Sequence, residues 1–450
     1  MTTLYCARWV APISTSVIEN GAVAVEDALI AGVGPRDQMI AEFPKARLSD
    51  FGEAMLLPGL INTHSHLELT GMRGFLEREE HDFFAWLLKL TFARLALTSE
   101  DLQMSATWGA LEAARAGITC VADASDSARE SMAALREVGL RGIVYQESFG
   151  PDAKLASENV RKLKDKVGVL RSHETELVRA GVSPHSPYTV SGPQLELISE
   201  FALQEQLPVM MHAAESQAED LLLKEGRGPF ADALRLRGIE WQTPGTSAIQ
   251  HLARHGVLET KPLLAHCITV NDADIATIKE KQAGIAHCPK SNAKLGHGHA
   301  PLGRFLRHGL KLGLGSDSVA SNNTCDLLEE ARFAALLARA VGDKEELELA
   351  TAEAVLFAAT VGGARALGID KETGSIAKGL QADLTVVRLD GAHQQPVHDP
   401  IAAMVFCSSA SDVLLTVVGG KEIYRDEQIT TVEEEGIKTR IEGIRSKMQN

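Results

Sequence analysis

Two histidines separated by one residue, His64 and His66, close an apolar run that begins at Leu56. Side chains two apart on an extended strand share a face. Two imidazoles on one face can hold a divalent cation, because neutral histidine nitrogen is a favoured zinc ligand. The pair alone carries little weight, since His-x-His also arises by chance on polar surfaces. Its weight comes from residues far downstream that close other apolar runs. His212 follows Val209-Met210-Met211, with Glu215 three residues on; His266 follows Leu263-Leu264-Ala265; Asp317 follows Gly313-Leu314-Gly315-Ser316. Three imidazoles and a carboxylate suit Zn²⁺ and leave room for water. Such a cation brings the pKa of water down to about 7. A carboxylate then takes the proton, and a further acid protonates the substrate as charge develops. Asp317 is placed to be ligand and base, and Glu215 to enter the pocket from the loop beyond its strand. His266 either binds the cation or orients the attacking water.

Bringing four such positions to one point needs a scaffold that gathers distant strand ends. Apolar runs of strand length end at His64 and lie at 118–122, 142–146, 178–183, 208–212, 263–266, 284–287 and 312–315. Helix-like stretches separate them, among them 99–116 (stopped by Gly117), 126–138, 193–206, 272–281 and 326–340. Eight strands alternating with helices predict an α/β fold of the closed (β/α)8 TIM-like barrel type, with reactive groups at the C-terminal strand ends. An open doubly wound sheet is the alternative. The barrel spans residues 58–368. Residues 1–57 and 369–450 are turn-rich with short β elements, and the simplest arrangement joins them in a small β-sandwich domain built from both chain ends. Asn20-Gly21 and Gly32 mark turns there, and 431–450 reads as a charged surface helix. Residues 69–98 have no clean period. The aromatic patch from Asp82 to Leu88 suits a lid or pocket wall, or equally a core helix around Trp86.

Composition narrows the function classes. A net charge of −15 over 450 residues, with no basic cluster, argues against nucleic-acid binding. No segment reaches the ~18 consecutive apolar residues of a membrane span, and Met1 to Val17 lacks a charged leader followed by an apolar stretch. The six cysteines are scattered without a Cys-x-x-Cys pair, which suggests reduced thiols. The expectation is a cytoplasmic protein acting on a small-molecule substrate, with a homodimer left open. Neither a Gly-x-Ser-x-Gly elbow nor a Gly-x-Gly-x-x-Gly loop is present.

These motifs together resemble the amidohydrolase superfamily, in the branch of S-adenosylhomocysteine and methylthioadenosine deaminases, aminodeoxyfutalosine deaminases and triazine hydrolases. The resemblance runs nearly end to end: Pro58 to His66, Ser183-Pro184-His185-Ser186-Pro187-Tyr188, His212 to Glu215, Ala265-His266-Cys267, His287 to Asn292, and Gly315 to Asn323. It implies metal ligands His64, His66, His212 and Asp317, with Glu215, His266 and Asp317 as catalytic groups. It also implies one divalent metal, zinc first and Fe²⁺ or Mn²⁺ as alternatives. No lysine stands at the end of the fourth strand to supply the carbamate bridge of binuclear relatives. His185 is expected to touch substrate. Where adenosine-type deaminases of the branch carry a glutamate two residues before the loop tryptophan, this chain has Phe84 before Trp86. His66-Leu67-Glu68 with Asp82-Phe83 and Trp86 looks more like the aminodeoxyfutalosine deaminase variant, which adds Glu68 and Trp86 as substrate-binding residues. The implied function is hydrolytic deamination of a 6-aminopurine (aminodeoxyfutalosine or an adenosine derivative), releasing ammonia by attack of metal-bound hydroxide. A triazine- or pyrimidine-type amidohydrolase or chlorohydrolase is the nearest alternative. A catalytically silent barrel used for binding is the alternative of another class.

Overall fold

The computed structural model describes residues 2–342 and 344–449. Eight strands form its centre: Leu60–Ser65, Ile118–Ser125, Arg141–Ser148, Val178–Pro184, Met210–Ala213, Leu263–His266, Gly284–His287 and Lys311–Leu314. The first four pair in order and the last four pair in order, every pair parallel. A parallel bridge between Val182 and Val209 joins the two halves. The other seam closes where Asp317 N donates to His64 O at 2.8 Å and Thr63 Oγ1 donates to Leu314 O at 2.8 Å. The result is the closed (β/α)8 barrel that the alternation predicts. Parallel strands are covered on both faces and so read as unbroken apolar runs. Small strand residues such as Cys120, Ala122, Ala124, Ala265 and Ala286 pack in one buried cluster with Ile61, Ile143 and Tyr145.

Strands two and three run past their apolar stretches. They carry Asp123, Ser125, Gln146, Glu147 and Ser148 toward the site, all buried. The helix expected from 126 starts at Ala128, because residues 126 and 127 are still turning off the strand. The helix Ser99–Arg115 is capped by a Thr98–Asp101 capping box. Residues 69–98 contain the helix Phe83–Leu95, whose Asp82 cap accepts from Phe84 N and Ala85 N.

Both chain ends meet in a nine-stranded sheet. Strand Ala54–Pro58 sits between Leu384–Arg388, antiparallel, and Thr2–Val10, parallel. The sheet curls until Leu29 bridges Gln381 and Ile30 N donates to Leu380 O. Tyr5, Val23, Leu56, Leu384 and Leu415 thereby pack across a common interior, as in a small sandwich. The turn positions differ from expectation. Gly21 and Gly32 lie within strands Ile18–Glu26 and Leu29–Pro35, and the hairpin turns at Asp27, with φ +52°. Gly21 is required by close approach: a Cβ there would lie 2.5 Å from Val10 Cγ2. The C-terminal helix Glu434–Gln449 packs on Ser99–Arg115 through Lys447–Asp101 and Arg115–Glu434 ion pairs. The expected helical tail also included Asn450, which lies outside the described residues. All six cysteines are free thiols. No helix among the described residues is long and apolar enough to cross a membrane.

Candidate active site

The C-terminal strand ends converge on four imidazoles and two carboxylates. His64 Nε2 lies 3.3 Å and His66 Nε2 3.6 Å from Asp317 Oδ1, and His66 Nε2 faces His212 Nε2 at 3.2 Å. His266 stacks on His212 with ring centroids 5.5 Å apart and places its Nε2 3.6 Å from Glu215 Oε1. Strand ends must turn sharply to aim these groups inward. Ala214, His266, Cys267 and Asp317 all adopt left-handed backbone (φ +54°, +73°, +51° and +57°), which is uncommon for residues other than glycine and clusters at functional sites. Gly315 allows Asp317 its approach, since a Cβ there would sit 2.8 Å from His64 Cβ.

Three of the four imidazoles are oriented through the other nitrogen. His212 Nδ1 meets His185 O at 2.9 Å, His266 Nδ1 meets Asn292 Oδ1 at 2.9 Å, and His64 Nδ1 meets Met210 Sδ at 3.3 Å. The inward nitrogens His64 Nε2 and His266 Nε2 are buried and have no hydrogen-bond partner. Buried orphan nitrogens aimed at one point, beside a carboxylate, match the donor set of a divalent cation. Three groupings of mutually close donor atoms occur among the described residues: His64, His66 and Asp317; His64, His212 and His266; and His66, Glu147 and His212. Burial pulls His64 down to about 4, against the opposing pull of Asp317, and also lowers His66 and His212. His64, His66 and His212 are therefore neutral at pH 7, the form that binds metal. Burial pushes Asp317 up, but contact with His64 and the nearby His266 and His66 outweigh it and hold the carboxyl well below its ordinary range. Asp317 Oδ2 also accepts from Ser291 Oγ at 2.6 Å, and Oδ1 from Ser318 N at 2.7 Å.

Glu215 stands beside this cluster, 5% exposed, with Tyr188 OH donating to its Oε2 at 3.2 Å. Its loop is held from behind by Glu219, whose two oxygens accept from Ala214 N (3.0 Å) and Glu215 N (2.8 Å). His297 approaches Glu215 Oε1 at 3.9 Å from the far side.

A cavity of about 440 Å³ opens over the cluster. Phe83, Phe84, Trp86 and Leu90 of the Phe83–Leu95 helix form one wall; Tyr188 and Phe230, stacked at 4.2 Å, form another. The residues expected to select substrate, Glu68, Trp86 and His185, all line it. Trp86 is at once core and pocket wall, 6% exposed, with its Nε1 unpartnered. Glu68 reaches the cavity from a short 3-10 helix, Leu67–Met72, and is already engaged. It takes Arg94 Nε at 3.0 Å, Ser127 N at 2.9 Å and Asp126 N at 3.3 Å. Burial draws His185 down to about 3, with help from the neighbouring His66.

Sequence reasoning missed Arg94, Glu147, Glu219, Asn292 and His297. Glu147 lines the cavity from the end of strand three, one residue beyond the run read as ending at 146. Burial, then the Glu68 and Asp126 carboxylates, push it well above its ordinary range.

The amidohydrolase family model matches residues 55–423. A 5-methylthioadenosine/S-adenosylhomocysteine deaminase of Syntrophobacter fumaroxidans is 32% identical over 439 residues, covering 95% of this chain and 93% of that protein. A deaminase of the same description from Pelotomaculum thermopropionicum is 32% identical over 425 residues, covering 94% and 92%. An adenosine deaminase structure from Xanthomonas campestris with bound zinc superposes at a TM-score of 0.86 with 27% identity, covering 99% and 98%. A zinc complex of atrazine chlorohydrolase from Arthrobacter aurescens reaches 0.85 at 22% identity, covering 98% and 99%, a likeness of fold alone.

Proposed function

The chain belongs to the amidohydrolase family, and on that premise we propose that it hydrolyses the exocyclic C–N bond of a 6-aminopurine substrate, releasing ammonia. The observation that carries this reading is Glu215, braced by Tyr188 and beside His266, at the junction of the imidazole–carboxylate cluster and the aromatic cavity. His64, His66, His212 and Asp317 are the residues that would hold one divalent cation, zinc foremost. When bound, such a cation acidifies water so that a nucleophile is available at neutral pH.

The side chains divide the remaining work. Asp317 accepts a proton from the attacking water as its oxygen bonds to purine C6. Electron density moves onto ring N1, where Glu215 delivers a proton. His266 holds the water in line. Asp317 then passes its proton to the amine, the C6–N bond breaks, and ammonia leaves. The proton of the new C6 hydroxyl restores Glu215 as the carbonyl forms. Phe83, Phe84 and Trp86 supply apolar surface for the flat ring, and His185 contacts the substrate from strand four. Glu68 acts through Arg94, which it holds at the cavity wall. The relatives described as 5-methylthioadenosine/S-adenosylhomocysteine deaminases support a thioether-bearing adenosine. The His66-Leu67-Glu68 segment and Phe84 favour aminodeoxyfutalosine instead. The test is ammonia release by zinc-loaded protein from both substrate types, with adenosine, adenine and a chlorotriazine alongside. Turnover of a 6-aminopurine nucleoside is expected; activity confined to the triazine would overturn the proposal.

A further inference from the structure

Glu147 lines the cavity without a role in the chemistry above, and its carboxyl lies within 4.8 Å of donor atoms on His66 and His212. Its side chain is 6% exposed, and its Oε1 is buried with no hydrogen-bond partner. A buried acceptor without a partner is costly and calls for one. The nearest candidate, His185 Nε2, lies 3.9 Å away, too far for a direct hydrogen bond. That spacing lets one oxygen sit within hydrogen-bond reach of both. His185 is fixed for the purpose: its Nδ1 is taken up by Thr189 Oγ1 (2.9 Å) and Ser186 Oγ (3.1 Å), which leaves Nε2 free to face the gap. Arg94, tied to Glu68 and Asp126, sets the charge of this side of the cavity. The walls opposite are aromatic.

Resting on the 6-aminopurine reading, we propose that Glu147 and His185 clamp one hydroxyl of the substrate's sugar, making Glu147 a specificity-determining residue. A hydroxyl fits where other groups do not, because it donates and accepts at once and so satisfies a carboxyl and an imidazole together. Free adenine would leave Glu147 unpaired, and a site built around a hydrogen bond discriminates strongly against a ligand that lacks it.

The test compares wild type with Glu147→Leu and Glu147→Gln, each zinc-loaded, on 5′-methylthioadenosine, its 2′-deoxy and 3′-deoxy analogues, and 9-methyladenine. Metal content is measured in parallel. For wild type, removing the recognised hydroxyl should lower kcat/KM about 10- to 100-fold. Glu147→Leu should impose a similar loss on the full nucleoside but less than about threefold on the analogue that lacks that hydroxyl. Glu147→Gln, which can still bridge a hydroxyl, should fall between. Equal losses on all four substrates would overturn the assignment, as would loss of zinc from Glu147→Gln, since either places Glu147 with the reaction centre. A wild type that neither binds nor deaminates any of the four, nor aminodeoxyfutalosine run beside them, overturns the 6-aminopurine reading itself, and this proposal with it. That result is distinguishable from the others because it appears before any substitution.

Discussion

Replacing Glu219 should damage the site although Glu219 does not line the cavity. Its carboxyl is fully buried and receives two backbone donors, Ala214 N and Glu215 N. Ala214 already has left-handed backbone, so the loop is held in a conformation it would not choose alone. Glu219→Ala leaves two buried N–H groups without acceptors, at about 1–3 kcal/mol each, or about 2–6 kcal/mol in total. Set against a typical total stability of about 5–15 kcal/mol, that is a large fraction. Urea denaturation should therefore show an unfolding free energy lowered by that amount, and a midpoint lowered in proportion. Ammonia release should fall about 100-fold even under folding conditions, because a displacement near 1 Å of a positioned group has that order of effect. Glu219→Gln keeps one acceptor but turns an amide donor toward the second N–H, and should lie between. A pH series sharpens the test. Burial raises the Glu219 carboxyl to about 8, against the pull of the two N–H groups. A folded pKa above the unfolded one makes ionising the buried carboxyl costly, so wild-type stability is fullest below pH 4.5 and falls as pH rises through about 8. Gln does not titrate, so the stability gap between wild type and Glu219→Gln should narrow from pH 6 to pH 9. A Glu219→Ala protein within about 0.5 kcal/mol of wild type, with ordinary turnover, would refute the reasoning.

Three further outcomes are expected. Glu215→Gln should retain one zinc per chain by elemental analysis yet lose about 10²- to 10⁴-fold in kcat; near-normal ammonia release would remove Glu215 from the role given it. His64 has a folded pKa near 4 against an ordinary 6.5, so its neutral form is secured above pH 6.5 and lost as pH falls through about 4. Dialysis against buffers from pH 7 to pH 3 should accordingly strip the cation only as pH falls to about 4 and below, and full loss already at pH 6 would contradict the ligand set. Trp86→Leu and His185→Asn should reorder the substrate panel without changing metal content, and an unchanged ranking for both would exclude them from substrate selection.

The barrel was legible because buried parallel strands read as apolar runs, and the cluster was legible because His64, His212, His266 and Asp317 interrupt those runs at their ends. The limits of that signal are physical too. Strand three continues through Gln146, Glu147 and Ser148, where hydropathy says it has stopped, so a pocket carboxyl passed for a loop residue. Glu219 sits on the helix Gln217–Glu225 among residues of a surface pattern, and only the fold turns it inward. Arg94 and Glu68 lie 26 residues apart in a stretch without periodicity. Their pairing is a tertiary event that no local pattern encodes. The turns misread at Asn20-Gly21 and Gly32 show glycine serving close packing, where sequence alone suggests a bend.

The sheet shared by the two chain ends has a consequence during synthesis. Strand Ala54–Pro58 waits for its antiparallel neighbour Leu384–Arg388, which leaves the ribosome roughly 300 residues later, about 15–60 s at 5–20 residues per second. Throughout that interval an apolar strand edge, Ala54 to Pro58, stands open to pairing with other chains. The barrel strands are all made before the partner arrives. The hazard therefore falls on nascent chains, and a slow stretch of translation between 315 and 384 would lengthen it without altering the finished protein.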